Sequence, residues 1–391
     1  MKKKVVIAMS GGVDSSTVAA MLKEQGYDCI GMHLNFWTDP EVPPENVKIT
    51  QNKCCTLEGL EDARAVAGQL GIPFYVMNVV QQFKDQVVDY FLETYAEGRT
   101  PNPCIECNKH IKFGELLTRA KELGADYLAT GHYAKVLTDA VTGTRYVGMA
   151  RDAMKDQSYF LYHLPQEKLQ HILFPLGDML KSEVYERAKK YGLIRVVEKP
   201  QSQGLCFFSE SKPKSFLMRY LDKNLFTPGL IVTVEGRKIG LHKGLPLYTV
   251  GQRGGLGIGG IAGEPEGEPW YVVRIDTARN ELIVGREKNI LEESVVCTDL
   301  HFATGMIPAE PFDAQVRIRY RAEPVPCRIE VRAGESGHKA FISCLRPVRG
   351  IAPGQLAVFY DGEKVLGGGM IEGTLSSRSY EKERRNISLA H

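Results

Sequence analysis

The chain has 391 residues, of which 43% are hydrophobic and 25% charged, and its 49 Lys and Arg against 47 Asp and Glu leave a net charge of +2. That composition excludes a disordered or fibrous chain and calls for two or three folded domains. Taken over the whole chain, the charge balance also argues against a globally basic nucleic-acid binder. No run of about 18 apolar residues offers a membrane span. Met1-Lys2-Lys3-Lys4 leads straight into Val5-Val6-Ile7-Ala8, too short an apolar stretch for a secretory leader. The expectation is a cytoplasmic protein with no membrane segment, whose nine cysteines are mostly reduced. In that compartment, cysteines placed in motifs serve catalysis or metal binding more often than cross-linking.

In chain order, Val5–Met9 reads as a buried strand. The loop Ser10-Gly11-Gly12-Val13-Asp14-Ser15-Ser16 follows, then a helix to about Gly26. Cys29–Phe36 is a second strand, and a proline-bearing loop with Cys54-Cys55 leads to a helix over Leu57–Leu70, closed by Gly71. Phe74–Asn78 is a strand, Phe83–Glu97 a helix, Cys107–Leu123 a helix closed by Gly124, and Tyr127–Thr130 a strand. This alternation predicts a parallel sheet covered by helices on both faces. Residues 165–222 read as helical. After Pro228-Gly229, short β-branched runs alternate with glycine turns: Leu230–Val234, Tyr271–Ile275, Leu282–Val284, Gln315–Tyr320, Cys327–Val331, Ala340–Cys344 and Leu356–Tyr360. They predict two small barrel-like β domains. The expected division is 1–222 for the α/β domain with its helical part, 223–295 for a central β domain, 296–375 for a C-terminal β-barrel, and 376–391 for a frayed polar tail.

The loop after the first strand has a physical purpose. Its glycines let backbone N–H groups approach an anion, and the following helix N-terminus adds donors and a favourable dipole. No Gly-Lys-Ser/Thr closes it, so it is not a Walker A loop. Its form, SGGxDSS, resembles the PP-loop of ATP pyrophosphatases, which hold the pyrophosphate of ATP and activate an oxygen by adenylation. That resemblance implies ATP as a substrate and Mg²⁺ held with the help of Asp14. It leaves the acceptor open.

Cys104 and Cys107, in Pro103-Cys104-Ile105-Glu106-Cys107-Asn108-Lys109, stand at the start of a helix, where a thiol is biased toward thiolate. Lys109 and Lys112 add positive charge. Cys206 lies far away in Gln203-Gly204-Leu205-Cys206-Phe207-Phe208. Cys29, Cys297, Cys327 and Cys344 sit in apolar strand contexts and read as core residues. Spacing leaves three readings of the C-x-x-C: a redox pair, a zinc site that recruits Cys54 and Cys55, and sulfur transfer between a carrier and a resolving thiol.

A longer series of segments narrows the choice. Besides Ser10–Ser16, it comprises Thr100–Phe113, Ala129-Thr130-Gly131-His132-Tyr133-Ala134, Lys155-Asp156-Gln157-Ser158-Tyr159-Phe160-Leu161, Gly204-Leu205-Cys206-Phe207, Tyr248–Gly260, Arg317–Arg321 and Pro326-Cys327. In this order, over about residues 3–372, they resemble the tRNA-specific 2-thiouridylases (the MnmA family). The resemblance implies ATP-dependent adenylation of the C2 oxygen of the wobble uridine in tRNA, followed by replacement of that oxygen with sulfur. It implies that Cys206 carries a persulfide and that Cys107 is the nucleophile that resolves it, leaving a Cys107–Cys206 disulfide. It implies ATP contacts from Ala8, Met9, Ser10, Gly11, Gly12, Val13, Asp14, Ser15, Leu34 and Gly131. Asn102, Pro103 and Cys104 are implied to meet the target base, and Lys155, Asp156, Gln157, Arg319 and Tyr320 to contact tRNA. The implied partners are a tRNA with a wobble uridine and a sulfur-relay or cysteine desulfurase protein, with the chain a monomer apart from tRNA.

The chain departs from the family at Cys104, where many members have Asp, an acid–base residue. Cys104, Cys107 and Cys206 together also match a [4Fe–4S] cluster bound through three irons, with the fourth open to sulfide. The cluster route and the persulfide route both stand at this point. Two other classes remain: another PP-loop enzyme that adenylates a carboxylate, and a non-enzymatic RNA-binding protein with a zinc site.

The charge is unevenly placed. Residues 315–350 carry eight basic and three acidic residues, a net +5 that leaves the rest of the chain at −3. The alternation Val316-Arg317-Ile318-Arg319-Tyr320-Arg321 predicts a strand with three arginines on one face. Such a face is either simply solvated or suited to a phosphate backbone.

Overall fold

The structure is a computed structural model that describes residues 2–41, 57–199, 204–208, 213–258, 268–334 and 337–375. Cys54-Cys55 and the tail from 376 lie outside the described residues. The first sheet is formed by β1 (Lys4–Ala8), β2 (Asp28–Asn35), β3 (Phe74–Asn78) and β4 (Tyr127–Ala129). A hairpin follows, β5 (Lys135–Thr138) and β6 (Arg145–Gly148), and then the short β7 (Ile172–Leu173), which interrupts the stretch expected to be helical. The sheet order is β3-β2-β1-β4-β7, with every pairing parallel. Val5, Val6 and Ile7 are fully buried, as a strand covered on both faces requires.

Helix α1 (Val13–Glu24) follows β1, and α2 (Leu57–Leu70) precedes β3. Two longer helices, over 80–96 and 103–122, each contain a π-helical stretch, Lys84–Asp89 and Cys107–Glu115 respectively. Such wide turns occur often at functional sites. The strand order reverses between β1 and β4. Loops at the carboxyl ends of strands part at such a point, which is where open α/β sheets take ligands.

The middle unit is a four-stranded sheet in the order β10-β11-β8-β9, with β8 Gly229–Thr233, β9 Lys238–His242, β10 Tyr271–Asp276 and β11 Glu281–Gly285. The last unit comprises β12 (Leu291–Phe302), β13 (Phe312–Arg317), β14 (Val325–Gly334), β15 (Gly337–Arg349), β16 (Leu356–Asp361) and β17 (Lys364–Gly373). They run in the order β12-β15-β14-β13-β16-β17, and pairing of β12 with β17 closes a six-stranded barrel. Closure removes the exposed edges that an open sheet would present. Hairpin β5–β6 extends from the α/β part onto this barrel, joining β17 through Lys364 and Gly148. Cys29, Cys297, Cys327 and Cys344 are buried, as expected of core residues.

Strand β13 ends at Arg317, so the expected row of three arginines on one strand face does not form. Arg317 turns inward, where its Nη1 lies 3.0 Å from Asp156 Oδ2. Arg319 and Tyr320 fall in the turn that follows. Among the eight basic residues of 315–350, six lie within ion-pair distance of a carboxylate: Arg317, Arg328, Arg332, Lys339, Arg346 and Arg349. Arg319 and Arg321 have no such carboxylate among the described residues, so the excess charge gathers at one turn. No described helix is long and apolar enough to cross a membrane.

Candidate active site

The loop after β1 opens α1 without a capping side chain: Gly12 is the N-cap residue and makes no side-chain cap bond. The first-turn N–H groups are therefore left to an anion. Gly11 takes φ +79°, and a Cβ there would come within 2.1 Å of the Gly59 carbonyl oxygen, so only glycine fits. Ser15 Oγ holds the loop's shape, accepting from Ser10 N–H at 3.2 Å and donating to the Gly12 carbonyl at 3.2 Å. Gly131, in the loop after β4, packs against the start of α1; a Cβ there would lie 3.0 Å from Ser15 N.

A cavity of about 360 Å³ opens at this point. Its walls include Ala8, Met9, Ser10, Asp14 and Ser15 from the phosphate loop, Leu34 from β2, Gly131, and Gln157. The same space is lined by Pro103, Cys104, Cys107 and Cys206. Two segments about 100 residues apart in sequence thus bring their thiols to the nucleotide loop. Cys206 is held there by its neighbour: Phe207 is 1% exposed and packs edge-on against Phe91 (5.2 Å) and Phe83 (6.0 Å). Cys104 and Cys107 sit on the helix over 103–122, which Pro103 starts with a preset φ. The barrel fixes the approach to this helix: Gln355 donates to the carbonyls of Thr100 (3.1 Å) and Pro101 (3.0 Å), and Thr100 N–H donates to the Pro353 carbonyl (2.8 Å).

The thiols differ. Cys107 is buried, whereas Cys104 is exposed to the cavity. Burial nevertheless pushes the Cys104 thiol up to about 11, the nearby Cys206 adds to the shift, and Lys112 opposes it. The shift at Cys104 runs opposite to the thiolate bias expected at a helix start, with loss of solvation its largest cause.

Several site residues had escaped the sequence reading. His132 lines the cavity, and burial, then Lys112, hold its pKa well below the usual value, so the ring is neutral. Lys112 Nζ lies 3.5 Å from His132 Nε2. An ammonium only donates, so Nε2 accepts, and Nδ1–H donates to Thr130 Oγ1 at 2.6 Å. Asp14 Oδ1 accepts from Lys181 Nζ at 2.6 Å and from Tyr133 Oη at 2.8 Å. Lys181 is partly buried and its pKa is lowered, first by desolvation, with Asp14 acting the other way. His132 and Tyr133 lie inside a motif quoted from the sequence, but Lys181 is 167 positions from its partner Asp14 and no local signal marks it.

The expected tRNA contacts are not equivalent. Asp156 is 2% exposed, so its carboxylate faces the interior instead of a ligand at the surface. Gln157 faces the cavity, and Lys155 is partly exposed. Arg319 Nη2 donates to the Gly350 carbonyl at 2.9 Å, and the Tyr320 ring packs on Phe160 with centroids 4.5 Å apart. No group of three His, Cys, Asp or Glu side chains that could hold a metal ion occurs among the described residues, so nothing there supports a [4Fe–4S] cluster on Cys104, Cys107 and Cys206.

Three family models match in succession: a tRNA methyl transferase HUP domain over residues 3–210, a tRNA methyl transferase PRC-barrel domain over 214–286, and an aminomethyltransferase beta-barrel domain over 292–371. Curated relatives named tRNA-specific 2-thiouridylase MnmA match along almost the whole chain. The one from Clostridioides difficile is 43% identical, covering 96% of this chain and 99% of the relative. That from Carboxydothermus hydrogenoformans is 44% identical, covering 95% and 98%. That from Symbiobacterium thermophilum is 46% identical, covering 95% and 92%.

Proposed function

We propose a residue-level reaction for this chain, which belongs to the tRNA-specific 2-thiouridylase family. It is an enzyme that uses ATP and its PP-loop domain to form 2-thiouridine in tRNA. The observation that carries the residue roles is the single cavity shared by the phosphate loop, the Gly131 turn and three thiols. For this purpose we set domain boundaries at 222/223 and 295/296.

In the first step ATP lies with its phosphates on Ser10–Ser15, beside Lys181, and its nucleoside part toward Leu34 and Gly131. The uridine O2 attacks the α-phosphorus and pyrophosphate leaves. The phosphate-loop N–H groups and Lys181 stabilise charge that develops on the leaving group. Mg²⁺ would reach the site with the phosphates and supply further charge neutralisation. Asp14 is the carboxylate at hand, and its Lys181 and Tyr133 contacts both fall on Oδ1.

The adenylated C2 carries AMP, a far better leaving group than an amide-like oxygen. A persulfide on Cys206, loaded by a sulfur-relay or cysteine desulfurase protein, attacks C2 through its terminal sulfur, and AMP departs. Cys107 then attacks Cys206 Sγ, breaking the S–S bond. 2-Thiouridine is released, the Cys107–Cys206 disulfide forms, and an external thiol reduces it. Lys112 is the cation facing the thiols, and neutral His132 orients it. Cys104, protonated at neutral pH, meets the base beside Asn102 and Pro103 as an S–H donor, not as an acid–base carboxylate. The wobble base must leave its stack to reach this depth. Arg319, Tyr320 and Lys155 are the proposed tRNA contacts outside the cavity, with the enzyme acting as a monomer. No step is routed through an iron–sulfur cluster.

The test is a reconstituted assay with tRNA, ATP and a persulfide donor. Pyrophosphate and AMP should form in step with 2-thiouridine. Lys181→Ala should lower kcat/KM for ATP by roughly 10- to 100-fold, the value of one charge-assisted hydrogen bond. Unchanged ATP kinetics would remove Lys181 from the site.

A further inference from the structure

Residues 156–160 touch three parts of the molecule at once. Toward the barrel, Asp156 Oδ2 accepts from Arg317 Nη1 at 3.0 Å and from Ser158 Oγ at 2.9 Å, while Oδ1 accepts the Ala150 N–H at 2.9 Å. Side-chain exposure is 11% for Arg317 and 1% for Asp156, so water does not screen the pair. The Arg317 guanidinium lies 4.9 Å from the Tyr360 ring centre, and Ser158 Oγ lies 3.3 Å from Tyr360 Oη. Tyr159 Oη donates to the Leu356 carbonyl at 3.0 Å, and the Phe160 ring packs at a tilt against Tyr320 of the basic turn.

Toward the nucleotide loop, Gln157 and Tyr133 exchange two bonds. Gln157 N–H donates to the Tyr133 carbonyl at 2.8 Å, and Tyr133 N–H donates to Gln157 Oε1 at 3.0 Å. Tyr133 Oη then reaches Asp14 at 2.8 Å. Toward the thiols, the Phe160 carbonyl accepts from Asn108 Nδ2 at 3.1 Å, and Asn108 follows Cys107 in the helix.

From this juxtaposition we infer that Asp156 and Arg317 form a positioning pair that ties the tRNA-docking barrel to the phosphate loop and to Cys107. The inference rests on the proposed reading of the barrel turn as a tRNA contact. A buried ion pair contributes little net stability, yet removing one partner leaves an uncompensated buried charge, so the pair favours one arrangement over its alternatives. Seating tRNA against Tyr320 presses on Phe160, and the fixed segment holds Gln157, Tyr133 and Asn108 in register for chemistry. Asp156 thereby acts without touching tRNA.

The test compares wild type with Asp156→Asn, Arg317→Gln and Arg317→Lys, reading tRNA affinity by filter binding and 2-thiouridine formation at saturating tRNA and ATP. Asp156→Asn and Arg317→Gln should lower kcat on the order of 10²-fold, the cost of a small misplacement of reacting groups. Their tRNA affinity should stay near wild type, and Arg317→Lys, which keeps a cation against the carboxylate, should recover most of kcat. Weakened tRNA binding with unchanged kcat would overturn the inference, because the pair would then be a tRNA contact or a simple anchor of the barrel. Should the charge variants fail to fold, Tyr133→Phe deletes only the hydroxyl that reaches Asp14. It should lower kcat with the melting temperature and tRNA affinity unchanged, and an unaltered kcat would overturn the inference. Failure of the functional reading itself would show in the wild type, as absence of any 2-thiouridine.

Discussion

Among the described residues, cysteines line the cavity beside the phosphate loop and fill the barrel core, while Cys29 is buried in the α/β core. Cys344 in the barrel is pushed up to about 11 by burial, as Cys104 is in the cavity. A shared shift therefore does not imply a shared role. Access and neighbours separate the two groups. Cys104 opens onto a cavity with Cys206, Lys112 and the phosphate loop, whereas Cys344 faces Cys327 across paired strands inside an apolar core. Burial alone raises a thiol's pKa. A ligand-sized space with an adjacent cation is what makes a thiol useful.

The largest expected effect separates the regions by chemistry. Cys107→Ser should lower multiple-turnover thiolation by about 10³-fold or more, as loss of an essential nucleophile does. An enzyme–tRNA adduct through Cys206 should then accumulate on a non-reducing gel. Lys112→Ala should slow thiolation by roughly 10- to 100-fold, since it removes the cation that lines the cavity with the thiols and acts on Cys104. Lys112→Arg should restore part of the rate, and a Lys112→Ala enzyme of full activity would erase the distinction drawn from charge.

Thiol labelling sharpens the same contrast. A raised pKa means that the thiolate of Cys104 appears only as pH climbs toward about 11, so its alkylation by iodoacetamide should rise through that range. In the native protein Cys297, Cys327 and Cys344 should resist labelling until the barrel unfolds, as peptide mass spectrometry would register. Rapid native labelling of Cys297 would contradict its burial. The smallest expected effect concerns Cys297→Ser. A hydroxyl buried at a fully enclosed site costs about 1–3 kcal/mol, read as a lower denaturation midpoint with kcat of the folded enzyme unchanged.

Much of the α/β part was legible in the sequence. Leu57–Leu70 and Phe74–Asn78 have the bounds expected from their patterns and glycine stops. The phosphate loop could be read because its function depends on contiguous residues. The basic run could not: alternation predicted a strand through Arg321, but β13 ends at Arg317, whose partner Asp156 lies 161 positions earlier. The short β7 also escaped notice, because two residues carry no periodicity. The Lys181–Asp14 and Lys112–His132 contacts arise from tertiary packing, which leaves no local pattern.

The central claim is that Cys206 carries the sulfur while the phosphate loop activates the base. Nucleoside mass spectrometry of tRNA from cells lacking this protein tests it most directly. Rescue with the wild type should restore 2-thiouridine, and rescue with Cys206→Ser, expressed to the same level, should leave it absent. Restoration of 2-thiouridine by the Ser variant would contradict the account.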